Sequence, residues 1–310
     1  MTKCIKFKIG KINSQRLLKF IKSEQYVQKK TITEHWSKRR NGNEKSFVIN
    51  NDEIIFYTDF NTGLSYNYAN YIFKKKKYPK RLKLKTHIKK FILHILNINY
   101  ADNFSPKKYY NSYWKSNPHS KYPLNKIIEE FGNHDDYIIF NAAWFYNEIK
   151  NFYLKKTNKN NHPIKCIEIG PGVGNLIRIM FADNFVSHTT VVDLPSSIIF
   201  SFCNLINRFP KIDYLLPNEI KNKEDFYNHK LLFLTNSQLN LLPDNFYSLG
   251  VNTMSFGEMN MQTIDNYFKI LRSTLSKNNL FYCLNRVEKI MKTNDQKEII
   301  RFTEYPWRSE

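Results

Sequence analysis

Three of the chain's nine glycines fall within five residues, in the run Glu168-Ile169-Gly170-Pro171-Gly172-Val173-Gly174. Clustering of this kind in a glycine-poor chain marks a place where a ligand approaches the backbone, because glycine leaves space and tolerates positive φ. The spacing is G-x-G-x-G followed by Asn175, not the G-x-G-x-x-G that seats a pyrophosphate on a helix N-terminus. Glu168, two positions ahead of the first glycine, suits a cation and disfavours a phosphate. Asp193 follows Gly170 by 23 positions. An acid at about that distance accepts hydrogen bonds from ribose hydroxyls, although an N-cap or a solvated Asp is the plainer alternative.

The surrounding elements must present these residues to one crevice. Ile164–Ile169 is an apolar run of strand type, and Asn175–Phe185 follows as a helix. Thr189–Asp193 is a strand, Ser196–Arg208 a helix, and Ile212–Leu216 and Leu231–Leu234 are short strands. Leu249–Phe256 is a strand, Met261–Leu275 a helix and Leu280–Val287 a strand. Strands alternating with helices indicate βαβ units on a parallel sheet. The first half differs. Phe47–Tyr57 predicts a hairpin around Asn50-Asn51-Asp52, and 87–98, 124–131 and 136–155 have helical periodicity. The polar stretch 156–163 separates the halves. The expected fold is α/β: a Rossmann-like domain over residues 158–310, and a mainly helical N-terminal region, 1–157, containing a small β-hairpin and serving substrate binding and association. After Arg286, residues 298–307 are expected to supply one strand and hardly two.

A ligand with cationic groups, a ribose and no phosphate fits the loop, and S-adenosylmethionine is such a molecule. In these residues the chain resembles the class I S-adenosylmethionine-dependent methyltransferases over about residues 160–287. Asp193-Leu-Pro, Ser255-Phe-Gly-Glu-Met259 and Tyr282-Cys-Leu-Asn-Arg286 further resemble the bacterial sugar O-methyltransferase family. The resemblance implies that Glu168, Gly170, Pro171, Gly172 and Gly174 line the methionine end of the cofactor. It implies that Asp193 and Leu194 hold the ribose and adenine, with Asn236 and Ser237 near the adenine edge. It also implies methyl transfer to a hydroxyl of a sugar or surface-polysaccharide precursor.

Such an acceptor needs a general base. Glu258 follows the strand Leu249–Phe256 and is the first candidate, its alternative being an acid favoured by a helix N-terminus. His119, beside the aromatic stretch 107–118, is the second. His162 and His188 have the character of surface-loop histidines. Tyr109, Trp114, Trp144 and Tyr146 are candidate acceptor-pocket aromatics, or packing between the two regions. Asn285 and Arg286 end a strand and could bind polar substrate groups. No metal-ligand spacing stands out, so no metal site is assigned and dependence on a divalent metal stays open.

The net charge of +21 is uneven: residues 1–100 hold 23 Lys+Arg against 6 Asp+Glu, and the remainder 25 against 21. Residues 74–90 carry ten basic residues in 17 positions. This suits a polyanion or an anionic membrane surface, so the alternatives are an RNA methyltransferase using 74–90 and a non-catalytic protein that binds S-adenosylmethionine or lies on a membrane through 74–98. Only Tyr78 interleaves the basic run, which argues against nucleic acid. Four scattered cysteines suggest reduced thiols. No signal peptide or membrane span is evident, so a cytoplasmic location, possible at the inner membrane face, is expected. The oligomeric state stays open, a homodimer being one option.

Overall fold

The structure is a computed structural model that describes residues 4–27, 47–57, 124–131, 137–157, 164–293 and 296–307. Strand β1 (Cys4–Lys8) leads into helices α1 (Lys11–Ile21) and α2 (Glu24–Val27). Strands β2 (Phe47–Asn50) and β3 (Glu53–Tyr57) form the expected hairpin, and β1 joins it to give an antiparallel sheet of order β1-β3-β2. Helices α3 (Leu124–Phe131) and α4 (Tyr137–Thr157) follow.

From residue 164 the chain builds a six-stranded sheet. Its strands are β4 (Ile164–Ile169), β5 (Val186–Asp193), β6 (Tyr214–Leu215), β7 (Leu231–Thr235), β8 (Tyr247–Thr253) and β9 (Leu275–Leu284). The order is β6-β7-β5-β4-β8-β9, and every neighbouring pair is parallel. The helices between them are α5 (Asn175–Ala182), α6 (Pro195–Arg208), α7 (Asp225–Asn228) and α8 (Met261–Thr274). All five residues of β7 are buried, as a strand covered on both faces requires. Its side chains alternate between two cores. Leu231 and Phe233 pack with Leu17, Phe20 and Phe200 from α1 and α6. Leu232 and Leu234 pack with Ile264, Phe268 and Tyr305. The chain runs from β4 through β5 to β7 on one side, then returns to β8 on the other side of β4. This is a Rossmann-like fold, and such a reversal opens a crevice at the carboxyl ends of the strands beside β4.

Three expectations need correction. Helix α5 ends at Ala182, before Phe185, because Asn184 takes a left-handed φ of 51° and the Phe185 N–H returns to the Met180 carbonyl, a helix-terminating geometry. The C-terminal stretch supplies two strands, β10 (Glu288–Thr293) and β11 (Gln296–Arg301), in an antiparallel hairpin. The hairpin begins at Glu288, so its first strand precedes the stretch 298–307 that was expected to supply one. His188 is not a surface-loop residue. Strand β5 begins at Val186, three residues earlier than its apolar run, and carries His188 into the sheet at 5% exposure.

His188 is satisfied where it lies. Its Nδ1 is 2.8 Å from the His229 carbonyl and its Nε2 3.1 Å from Thr190 Oγ1, which in turn lies 2.6 Å from the Tyr247 hydroxyl. Burial lowers its pKa to about 4, and Lys165 opposes the charged form too. The unfolded chain therefore takes up a proton on this group below about pH 6.5 that the folded chain refuses until about pH 4. The contribution of neutral His188 to stability is present above pH 6.5 and is lost as pH falls toward 4. Replacing His188 with Gln should lower the melting midpoint at pH 7.5. The gap to wild type should then shrink by about 3 kcal/mol between pH 6.5 and 4. Parallel melting curves for the two proteins across that range would contradict this.

Candidate functional site

The crevice begins where β4 ends. Glu168, its penultimate residue, is 1% exposed, and its Oε2 is buried without a hydrogen-bond partner. Burial pushes the Glu168 pKa up to about 8, and the charge of Asp193 pushes the same way. The loop then turns through Gly170, Gly172 and Gly174, at φ of 68°, 59° and 75°. Each angle lies in the left-handed region that side chains disfavour. The three glycines are needed for different reasons. A Cβ at Gly170 would overlap the Ser255 side chain, and one at Gly174 would come within 3.2 Å of Ser201 Cβ, whereas one at Gly172 would meet nothing within 4 Å. Gly172 therefore borders open space. Pro171 between them is half-buried.

Asp193 ends the neighbouring strand. Its Oδ1 accepts the Leu194 N–H at 2.7 Å. Burial raises its pKa to about 7, although hydrogen bonds from the Leu194 and Gly172 backbone and from Ser197 oppose the rise; Glu258 raises it further. Asp193 thus stands against the glycine loop on one side and within electrostatic reach of Glu258 on the other. The residue at the N-cap of α6 is Leu194, so the plainer N-cap reading of Asp193 does not describe its position. Asp193 pairs with Thr235 across the β5–β7 ladder, which sets Asn236 and Ser237 at the adjacent strand end. Both are half-buried, and the Ser237 hydroxyl lies 2.8 Å from Thr235 Oγ1.

The other wall comes from β8 and β9. Glu258 closes a single 3-10 turn, Phe256–Glu258, just beyond β8, and is half-buried. The turn is held by Asn252, which local pattern marks only as a polar residue inside an apolar strand. Fully buried, Asn252 donates to the Ile169 carbonyl at 2.9 Å and to Ser255 Oγ. Its Oδ1 accepts from Asn285 Nδ2 at 2.8 Å and from the Phe256 N–H at 3.3 Å. Asn285 in turn accepts the Gly257 N–H at 3.0 Å. Asn285, expected on the substrate side, thus uses its amide to fasten the Glu258 turn to β9. Arg286, the next residue, is exposed.

Of the remaining candidates, Tyr146 is corrected. It has no exposed surface, packs edge-on against Phe185, and donates its hydroxyl to Asp183. Asp183 follows the carboxyl end of α5, the opposite end of that helix from the glycine loop. Trp144, two residues before Tyr146 on α4, is partly buried against the same core. Tyr109, Trp114, His119, His162 and the segment 74–98 lie outside the described residues. Among the described residues there is no group of three or more His, Cys, Asp or Glu able to hold a metal ion, and no helix is long and apolar enough to cross a membrane.

No protein-family model matches the chain, and no curated protein matches it. Solved structures do. A candidate S-adenosylmethionine-dependent methyltransferase from Methanococcus maripaludis is 17% identical, with a TM-score of 0.32 over 46% of this chain and 56% of that one. A candidate sarcosine dimethylglycine methyltransferase from Galdieria sulphuraria is 12% identical, with a TM-score of 0.34 over 59% and 60%. The plantazolicin methyltransferase BpumL, in complex with S-adenosylhomocysteine, is 17% identical, with a TM-score of 0.33 over 58% of each chain. This chain thus spans between 56% and 60% of the length of these structures.

The glycine geometry yields a ranking. Gly170→Ala combines left-handed strain with an overlap on Ser255, whereas Gly172→Ala meets strain alone. Gly172→Ala should cost about 1–2 kcal/mol of stability, and Gly170→Ala clearly more. Denaturant titration of both variants checks the order; equal midpoints would show that Ser255 gives way freely.

Proposed function

We propose that the chain is an S-adenosylmethionine-dependent O-methyltransferase that acts on a hydroxyl of a sugar or surface-polysaccharide precursor. The observation that carries this reading is the buried, unpartnered oxygen of Glu168 at the end of the central strand, next to a loop whose middle glycine borders open space. A buried carboxylate without a partner is costly unless it takes up a proton or meets a cation. The residues fit the cofactor in kind: Glu168 toward its cationic methionine end, the Gly170–Gly174 backbone around it, Asp193 toward the ribose, and Leu194, Asn236 and Ser237 toward the adenine. When bound, that molecule supplies a methyl group already activated by a sulfonium.

What the chain adds is alignment and proton acceptance. Holding the acceptor in line with the methyl carbon accounts for much of the rate in such displacements. Glu258, set by the Asn252–Asn285 clamp on the wall opposite Asp193, is positioned to take the acceptor's hydroxyl proton on its carboxylate. Support for a sugar acceptor comes from two segments that resemble the sugar O-methyltransferases, Ser255–Met259 and Tyr282–Arg286. They meet in this crevice through the hydrogen bond between Gly257 and Asn285. In this reading residues 158–310 carry the donor site and residues 1–157 the acceptor side and any association surface. The whole would work in the cytoplasm, with no metal assigned.

Two measurements test the reading. Calorimetry should show binding of S-adenosylmethionine and of S-adenosylhomocysteine, and Asp193→Ala should weaken both at least tenfold, roughly the loss of two ribose hydrogen bonds; absence of binding to either ligand would sink the proposal. The binding should also depend on pH. Glu168 is protonated below about pH 8 in the free chain, and a cationic ligand favours its ionised form. Binding therefore releases a proton, and affinity should rise as pH increases from about 6 to 8 and level off above. Glu168→Gln should remove the part of that rise between about pH 7 and 8, leaving what Asp193 contributes at about pH 7. A methyl-transfer screen over nucleotide sugars and oligosaccharides identifies the acceptor. With that acceptor in hand, Glu258→Gln should lower kcat by about a hundredfold or more; unchanged turnover would remove Glu258 from the role of base.

A further inference from the structure

The N-terminal helix α1 reaches the donor crevice through a continuous chain of polar contacts. Arg16, near its middle, forms a two-pronged ion pair with Glu219: Nε to Oε1 at 2.7 Å and Nη2 to Oε2 at 2.6 Å. Its Nη2 also donates to the Tyr214 carbonyl at 2.9 Å, and the guanidinium lies 3.9 Å from the centre of the Tyr214 ring. One turn earlier, Asn13 accepts the Tyr214 hydroxyl at 2.6 Å. These contacts fasten α1 to strand β6 and to the short 3-10 turn Pro217–Glu219.

That turn is itself a support. Glu219 Oε2 accepts the Leu216 N–H at 2.8 Å, closing it. The Pro217 carbonyl then accepts from Gln238 Nε2 at 2.8 Å. The other end of the Gln238 amide accepts from the Thr235 N–H at 3.2 Å and from Thr235 Oγ1 at 2.9 Å. Thr235 pairs with Asp193 and contacts Ser237. Gln238 and Thr235 are buried, so this end of the chain is shielded from competing water, and bidentate Arg–carboxylate pairs hold orientation as well as charge.

We infer that Arg16 is a positioning residue for the nucleoside end of the donor site: through Glu219, the Pro217 carbonyl and Gln238 it sets the strand end that carries Thr235, Asn236 and Ser237 beside Asp193. The inference rests on the donor-site reading above. It assigns to the N-terminal region a part in donor binding, beyond the substrate binding and association expected of it.

The test uses the full chain and two ligands, measured by calorimetry well below the melting midpoint. S-adenosylhomocysteine has both a nucleoside and an amino-acid end; 5′-methylthioadenosine has only the nucleoside. Arg16→Met should weaken both by the same factor, about tenfold. Arg16→Lys, which keeps the charge and loses the fork, should fall between. Glu168→Gln, at the other end of the site, should weaken S-adenosylhomocysteine and leave methylthioadenosine unchanged. The double variant Arg16→Met with Glu219→Gln should bind no worse than either single variant, since both cut the same chain. Should Arg16→Met not fold, Glu219→Gln, which keeps the side-chain shape, gives the same comparison. An unchanged methylthioadenosine affinity, with only the melting midpoint lowered, overturns the inference and leaves Arg16 as a structural tie. Wild-type protein that binds neither ligand overturns the donor-site reading instead.

Discussion

A carboxylate buried at the end of the central strand, with one oxygen unpartnered, is the constraint around which this molecule is arranged. Removing an ionised Glu168 from water without a partner would cost several kcal/mol. The free chain meets that cost by holding a proton on it to about pH 8, and Asp193, at the end of the neighbouring strand, behaves alike, to about pH 7. Two neutralised acids thus stand at the carboxyl ends of adjacent strands. The glycines follow from the same need. A loop that leaves the strand beside Glu168 turns through three left-handed positions that glycine takes without strain, and at Gly170 it also lacks room for a side chain.

The edge is kept rigid by amides, not charges. Asn252 binds the last carbonyl of β4, the Ser255 hydroxyl, the start of the Glu258 turn and Asn285, so one buried side chain joins the carboxyl ends of three strands. Gln238 does the same between β7 and the Pro217 turn. An amide can donate and accept at once, and it brings no charge to compete with Glu168 and Asp193. Buried networks of this kind hold one geometry when every group is satisfied. Charged ties lie farther out: Glu130 between Arg178 and Arg208, and Asp183 between Lys126 and Lys150, fasten α3 and α4 to α5 and α6.

The parts that were legible in the sequence are those whose signals are local. The βαβ series could be followed because its strands are short apolar runs, and the loop because glycines are scarce elsewhere. Glu168 stood out for its place two residues ahead of the first glycine, whereas Asn252, a polar residue in an apolar strand, had no such motif beside it. What stayed hidden depends on distant partners. The run Val186-Ser-His-Thr-Thr190 looks too polar to be a buried strand until the His229 carbonyl and the Tyr247 hydroxyl, 41 and 57 residues away, are placed beside it. Tyr146 fits a pocket or a core equally well by type, and only Asp183 decides between them. Arg16 and Glu219 are separated by 203 residues, a distance no local pattern bridges.

Met254 shows how the two walls of the crevice differ. It follows β8 with a left-handed φ of 68°, is 45% exposed, and is held there by its N–H on the Leu284 carbonyl at 2.7 Å. A side chain in that conformation costs about 1 kcal/mol or more and persists only where its surroundings impose it. On the β4 side the left-handed positions are glycines, so the backbone bends without strain. On the β8 side a methionine bears the strain, and the bend it makes carries the chain into Ser255 and the Glu258 turn. Relaxing Met254 would move Ser255 off the Ile169 carbonyl, and with it the contact that demands glycine at 170. The strain on one wall and the glycine on the other are thus two halves of one fit, which explains why the loop and the Glu258 turn must be specified together although 82 residues separate Gly170 from Asn252.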